Sequence, residues 1–223
     1  MAESDRPVDV WEILEPEETD ERLALGVLIS GSGTNLQAVI DACERGDLDC
    51  RIAVVISNHA DAFGLERARR AGIPAVYVDP ASYKDRHAFN GAIADTLIEH
   101  GVGLVVMAGY MRLLGREVLR VYPGAVINLH PALLPTFPGA SAIADAFEYG
   151  VKVTGVTVHF ADEAFDRGPI ICQEPIRVAE DDTIETLEAR IHEAEHRLLP
   201  YAIGLIAEGR VTIEGRKVRI SDR

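Results

Sequence analysis

Asn128 and His130 stand two residues apart at the end of an apolar run, in the stretch NLHPALLPTFPG. An amide and an imidazole are a useful pair for carbonyl chemistry. The amide can donate to a developing oxyanion, and the imidazole can take or give a proton near neutral pH. If the run is a strand, residues i and i+2 face the same way, so both side chains enter one space. Pro131, Pro135 and Pro138 follow and limit the backbone, which suits a site of fixed geometry. A histidine bonded only for structure is the commoner fate of any one of the seven here, but the other six lack such company. His159 and His196 are candidates for a supporting role.

A carboxylate would complete the pair by stabilising imidazolium and raising the histidine pKa. The loop ADEAFDRGP offers Asp162, Glu163 and Asp166, the last just before an Arg-Gly-Pro turn. Solvated loop acids are the ordinary reading of such residues, and spacing alone does not bring one of them to His130.

A second motif, GSGTN, lies between an apolar run and a helical pattern. Paired glycines there let backbone N–H groups approach an anion at the positive end of a helix. A dinucleotide fingerprint would need a third glycine where Leu36 stands, and an acid after the second strand, which ends Ser57-Asn58-His59. A single phosphate held near Gly33, Thr34 and Asn35 fits better. The plainer reading, a tight turn with Thr or Asn as helix cap, stands level with it on this motif alone.

The elements that must position these groups alternate. Apolar runs at 23–30, 51–57, 74–78, 103–109 and 124–130 read as strands, and amphipathic segments after Asn35, at 64–72 and around Phe89, Ile93 and Leu97 read as helices. That order predicts an α/β fold with a mostly parallel central sheet and helices on both faces. Strand-like runs at 153–160 and 170–178 follow. A long helix is expected from about Asp182, with Asp182 and Glu185 as a capping box, Ile184, Leu187, Ile191 and Leu198 inward, and a kink at Pro200. VTIEGRKVRI reads as a terminal hairpin. Ligands of open α/β sheets bind beyond the carboxyl ends of the strands, where GSGTN, AGYMRLL, NLHP and ADEAFD all fall.

Composition narrows the classes. The chain has 223 residues, 48% hydrophobic and 26% charged, enough for one sizeable core in a single domain. A net charge of −14 argues against a nucleic-acid partner but leaves room for a small anionic substrate. Cys43, Cys50 and Cys172 are odd in number and lack metal spacing, so neither disulfide nor metal is expected. No apolar run is long enough to span a bilayer. The acidic leader lacks the order of a secretory signal, so a cytoplasmic protein is expected.

LISGSGTNLQAVIDA, SNHADAFGLERARRAGI, MAGYMRLL, INLHPALLPTFPG and the later F-D-x-G-P-I together resemble the phosphoribosylglycinamide formyltransferases, folate-dependent enzymes of purine synthesis. The resemblance runs over about residues 24 to 210. It implies a Rossmann-like formyltransferase domain at 23–210, after an acidic extension at 1–22 and before a hairpin tail at 211–223. It also implies a formyl transfer from 10-formyltetrahydrofolate, as co-substrate, to glycinamide ribonucleotide, and leaves a homodimer open.

Carried over by residue, Asn128, His130 and Asp166 match the family's catalytic trio, and Gly33, Thr34 and Asn35 its substrate-phosphate loop. Gly109, Pro131 and Glu195 match the ribonucleotide pocket. Met111, Arg112, Leu113 and Leu114 match the segment contacting the pterin, and Arg86 a further folate position. Ala132, Ser141 and His192 depart from relatives that carry Ser, His and Gln there. The resemblance also covers a formyltetrahydrofolate hydrolase, which usually has an N-terminal regulatory domain longer than this leader. A methionyl-tRNA formyltransferase would add a basic tRNA-binding domain. A non-catalytic folate or phosphate module would be expected to break the trio.

Overall fold

The computed structural model describes residues 20–163 and 165–222. The acidic leader, with Trp11, lies almost wholly outside them. Seven strands form one sheet: β1 (Leu23–Ile29), β2 (Cys50–Ser57), β3 (Ala75–Tyr77), β4 (Leu104–Met107), β5 (Val126–His130), β6 (Val153–Phe160) and β7 (Ile170–Arg177). Their order is β3-β2-β1-β4-β5-β6-β7. Pairings from β3 across to β5 are parallel, whereas β6 and β7 run antiparallel to their neighbours. The sheet is therefore mostly parallel, as the alternation predicts.

Helices α1 (Thr34–Glu44), α2 (Phe63–Arg70), α3 (Arg86–Glu99), α4 (Arg116–Val121), α5 (Ala142–Tyr149) and α6 (Ile184–Ala207) cover both faces. Strand periodicity divides the core between them. From β1, Leu25, Val27 and Ile29 enter one cluster with Leu36 and Val39 of α1 and Leu187, Ile191 and Leu198 of α6. Ala24 and Leu28 enter the other, with Phe89, Ile93 and Leu97 of α3 and Val118 of α4. Successive strand side chains point to opposite faces, so a strand covered on both sides is apolar throughout. Gly26 is small by necessity: a Cβ there would sit 2.4 Å from the side chain of Leu97.

Two sequence expectations need correction. α6 is capped by Thr183, not Asp182: the Thr183 hydroxyl accepts from the Thr186 N–H at 3.3 Å, and the Thr186 hydroxyl accepts from the Thr183 N–H at 3.0 Å. Asp182 is occupied instead by the Ala179 N–H and the Arg190 guanidinium. Helices α4 and α5 are not among those read from the sequence: α4 spans only six residues, and the buried residues of α5 are the small Ala142 and Ala146, so neither shows an apolar stripe. The terminal hairpin, β8 (Val211–Glu214) and β9 (Lys217–Ile220), forms as expected and makes its own two-stranded sheet.

Candidate active site

Gly33, Thr34 and Asn35, the residues expected to hold a phosphate, occupy the turn from β1 into α1. Gly33 has φ +69°, and a Cβ on it would lie 2.6 Å from the Cα of Gly64 in α2. Glycine is required on both counts: a left-handed backbone and a close approach of two chains. GSGTN and AFGLERA, thirty-one residues apart, are thus one structural unit. Arg67 of α2 adds a bond from its Nε to the Ser32 carbonyl at 2.9 Å. No side chain caps α1, so the Thr or Asn cap is not what the turn provides. First-turn N–H groups have no partner within a helix, which leaves them for an anion.

These residues line a cavity of about 510 Å³ together with Gly109, Pro131 and Glu195. Glu195 is only 4% exposed. One of its carboxylate oxygens accepts from Asn35 Nδ2 at 3.0 Å, across 160 residues of chain. Ser141 and His192, two of the departures from the family pattern, line the same cavity.

A smaller cavity of about 90 Å³ contains Asn128, His130 and Asp166, and shares Gly109, Met111 and Pro131 with the larger one. The β5 alternation does face Asn128 and His130 into one space. Asp166 is 8% exposed and has φ +52°, a strained backbone for a residue with a side chain. Two things hold that turn. Gly168 passes so close to the Phe160 carbonyl that a Cβ would lie 1.7 Å from its oxygen. The Asp166 carboxylate accepts from the Gly139 N–H at 2.8 Å, tying it to the proline loop.

Asp166 meets both partners. Its Oδ2 is 3.5 Å from His130 Nδ1, and its Oδ1 accepts from Asn128 Nδ2 at 3.3 Å. His159, opposite Asn128 in the β5–β6 register, adds a second imidazole, with Nε2 3.7 Å from Asp166 Oδ1. His159 thus lies beside the pair, whereas His196 stacks beside His192 on α6, outside this cluster. Gly139 and Phe137 belong to the site through their backbones, which residue type does not signal.

Burial alone would raise the Asp166 carboxyl. The close His159 imidazole and the hydrogen bond from Gly139, with the His130 ring, outweigh it and hold the group below the usual carboxylate range. For His130 the balance goes the other way. Burial pushes its pKa below the ordinary value, and Asp166 and the Phe137 carbonyl restore only part. The expectation of a raised histidine pKa is therefore corrected: at 4% exposure, desolvation outweighs a carboxylate shared among several donors. The neutral ring carries its proton on Nε2, because the Phe137 carbonyl 2.8 Å away can only accept. Nδ1 then faces Asp166 unprotonated.

The folate-matched segment divides. Leu113 and Leu114 line a third small cavity that shares Asn128 and Asp166 with the second. Met111 is 64% exposed and borders the two larger cavities. Arg86 donates to the Leu113 carbonyl at 3.1 Å and so braces the segment, whereas Arg112 turns over the Phe89 ring at 5.3 Å. Neither arginine lines these cavities. The thiols are poor nucleophiles here: burial pushes Cys50 up to about 11 and Cys172 up to about 12. No group of three or more His, Cys, Asp or Glu among the described residues has the placement to hold a metal ion. No described helix is long and apolar enough to cross a membrane.

Comparison with known proteins gives the family. The formyl transferase family matches residues 23–203. The phosphoribosylglycinamide formyltransferase of Bacillus subtilis is 44% identical over 79% of this chain and 91% of its own. The crystal structure of glycinamide ribonucleotide transformylase 1 from Symbiobacterium toebii is 55% identical, with a TM-score of 0.89 over 90% of this chain and 95% of that one. A formyltetrahydrofolate deformylase from Pseudomonas syringae superposes with a TM-score of 0.85 at 30% identity, over 91% of this chain and 67% of that one. The chain belongs to the formyl transferase family, and within it to the phosphoribosylglycinamide formyltransferases.

Proposed function

We infer that this protein transfers the formyl group of 10-formyltetrahydrofolate to the amine of glycinamide ribonucleotide. The observation that carries the reading is the sequence of cavities. A phosphate-ready cavity adjoins the Asn128–His130–Asp166 cluster, which adjoins the Leu113–Leu114 segment. An anionic amine on one side and a formyl folate on the other would meet at the cluster.

The folate supplies the formyl carbon and a leaving nitrogen. The amine attacks that carbon directly, with no enzyme adduct. Asn128 Nδ2 lies 3.3 Å from Asp166 Oδ1 and 3.2 Å from His159 Nε2, so one of its two amide hydrogens must leave one of these partners to serve the developing oxyanion. His130 begins neutral and accepts the proton that the attacking amine loses. The imidazolium so formed is stabilised by Asp166, helps hold the oxyanion, and returns the proton to the leaving nitrogen. Its Nε2 hydrogen starts on the Phe137 carbonyl, so turnover requires that carbonyl to yield the bond. The Gly33–Asn35 turn holds the phosphate, and Met111, Leu113 and Leu114 hold the pterin, with Arg86 bracing the segment. On this reading the protein works in the cytoplasm, which its three unpaired thiols fit.

The hydrolase is the second reading, favoured only by the 30% identical neighbour. A folate absorbance assay separates the two. Deformylation that depends on added glycinamide ribonucleotide supports the transferase. Deformylation that proceeds equally without the amine overturns it.

A further inference from the structure

A groove runs along the seam between α1 and α6 and shares no residue with the cavity that holds Asn128, His130 and Asp166. Its upper part, toward Thr34, is a cavity of about 370 Å³ walled by Gln37, Asp41, Arg45, Arg67 and His196. Its lower part, toward the end of α6, is a cavity of about 460 Å³ whose wall includes Leu48, Pro200, Tyr201, Arg197 and Arg210. Arg45 and His196 line both, so the two are continuous. At that junction His196 Nε2 is buried and has no hydrogen-bond partner among the described residues. Below it the Tyr201 ring is 54% exposed. A buried polar atom without a partner and an uncovered aromatic ring both call for a contact that the described chain does not supply.

Charge separates this groove from its surroundings. Four arginines and three carboxylates line it, although the chain as a whole carries −14. The three cavities of the active site have neither Lys nor Arg among their described walls. The complementary charge lies in the same chain. Residues 1–19, outside the described part, include seven acids against one arginine, and Val10, Trp11, Ile13 and Leu14 cluster around Glu12. We propose that this acidic leader is the occupant of the α1–α6 groove, with Trp11 against the Pro200–Tyr201 side and leader carboxylates beside Arg45 and Arg197.

The leader joins the fold at the lower end of the groove. Asp20, the first described residue, pairs with Arg22 at 2.7 Å and faces Arg51 at 3.7 Å. Arg22 is in electrostatic reach of Cys43, near the end of α1, and of Asp49, in the turn into β2. That turn supplies Asp47 and Leu48 to the lower cavity. Trp11 stands nine residues before Asp20, an extended reach of about 30 Å. The eleven residues of α1 rise only about 16 Å, so the whole groove is accessible to it. A segment tethered this closely has an effective concentration on the order of millimolar. A local affinity of about 0.1 mM, weak between free partners, then keeps it docked about nine-tenths of the time. This docking is independent of the transferase reading.

Trp11 is the chain's only tryptophan, so its fluorescence reports on the leader alone. The test is acrylamide quenching of that emission in the full-length parent and in a variant carrying Arg45→Glu and Arg197→Glu. Both arginine side chains are 62% exposed, and thermal unfolding checks that the fold is kept. Exposed ion pairs are worth little singly, but reversing two together weakens docking by about tenfold and leaves the leader about half docked. The quenching constant is then expected to rise about fivefold over the parent. Glu12→Arg with Glu15→Arg gives the same release without altering the described fold, and combining the two pairs of changes restores the shielding. Trp11 quenched in the parent as readily as free N-acetyltryptophanamide overturns the docking, as does shielding that both charge-reversed variants leave unchanged. Shielding that fades on dilution, as the mass falls from dimer to monomer, places the leader on a second copy and overturns the intrachain seat.

Discussion

Asp166→Asn is the most informative single change. The substitution keeps the shape of the side chain and an oxygen for the Gly139 N–H, so the loop anchor at 2.8 Å survives. What is lost is a charge 3.5 Å from His130 Nδ1. Unit charges at that separation interact by about 5 kcal/mol at an effective dielectric of about 20. The ring spreads its charge over two nitrogens, so about half of that is realised. With its oxygen kept toward Gly139, the new amide turns its NH2 to the Oδ1 position, beside Asn128 and His159. The lost charge disfavours the imidazolium that forms as the amine attacks. About 2.5 kcal/mol corresponds to roughly 10²-fold in rate, the lower end of the 10²–10⁴-fold that is typical for losing acid–base help. The assay is amine-dependent deformylation followed by absorbance at pH 7, with thermal unfolding as a control for fold. A folded variant within about threefold of the parent kcat/KM would refute the claim that the pair is used in turnover.

Asn128→Ala removes the amide donor and should lower kcat by the equivalent of roughly 3 kcal/mol, measured under saturating substrates, with folate binding retained. Gly33→Ala forces a side chain into a backbone at φ +69° and against Gly64; a loss of about 1–3 kcal/mol in denaturant unfolding and a raised ribonucleotide KM are expected, and parental values of both would contradict the phosphate turn. Ile191→Ala, in the fully buried stripe of α6, should cost about 2–5 kcal/mol of stability with kcat nearly unchanged in the folded fraction. Burial of His130 in its neutral form links stability to pH. Its folded pKa lies below the unfolded one, so this contribution is complete above about pH 6.5 and is lost as pH falls toward the folded value. Unfolding midpoints of His130→Gln should therefore decline less than those of the parent across that window.

Much of the architecture was legible because it rests on local rules. A doubly covered strand such as Cys50–Ser57 must be apolar throughout, and an amphipathic helix such as α6 must repeat its apolar face. Motif chemistry was legible where residue type is itself the constraint: Asn128 beside His130 on one strand face, or glycine at position 33. Helices α4 and α5 were not, and the α6 cap was misassigned, since competing partners for Asp182 lie at Ala179 and Arg190.

Residue order alone determined that an amide and an imidazole would share a strand face, that a glycine turn would open a helix, and that the sheet would be mostly parallel. Tertiary structure decided which of three loop acids reaches the ring, because the approach of Gly168 to Phe160, the Gly139 N–H and the Asn128 amide bring Asp166 there across the fold. It also decided the resting charge of His130. Desolvation depends on everything packed around a side chain, and no reading of neighbours along the chain contains that sum.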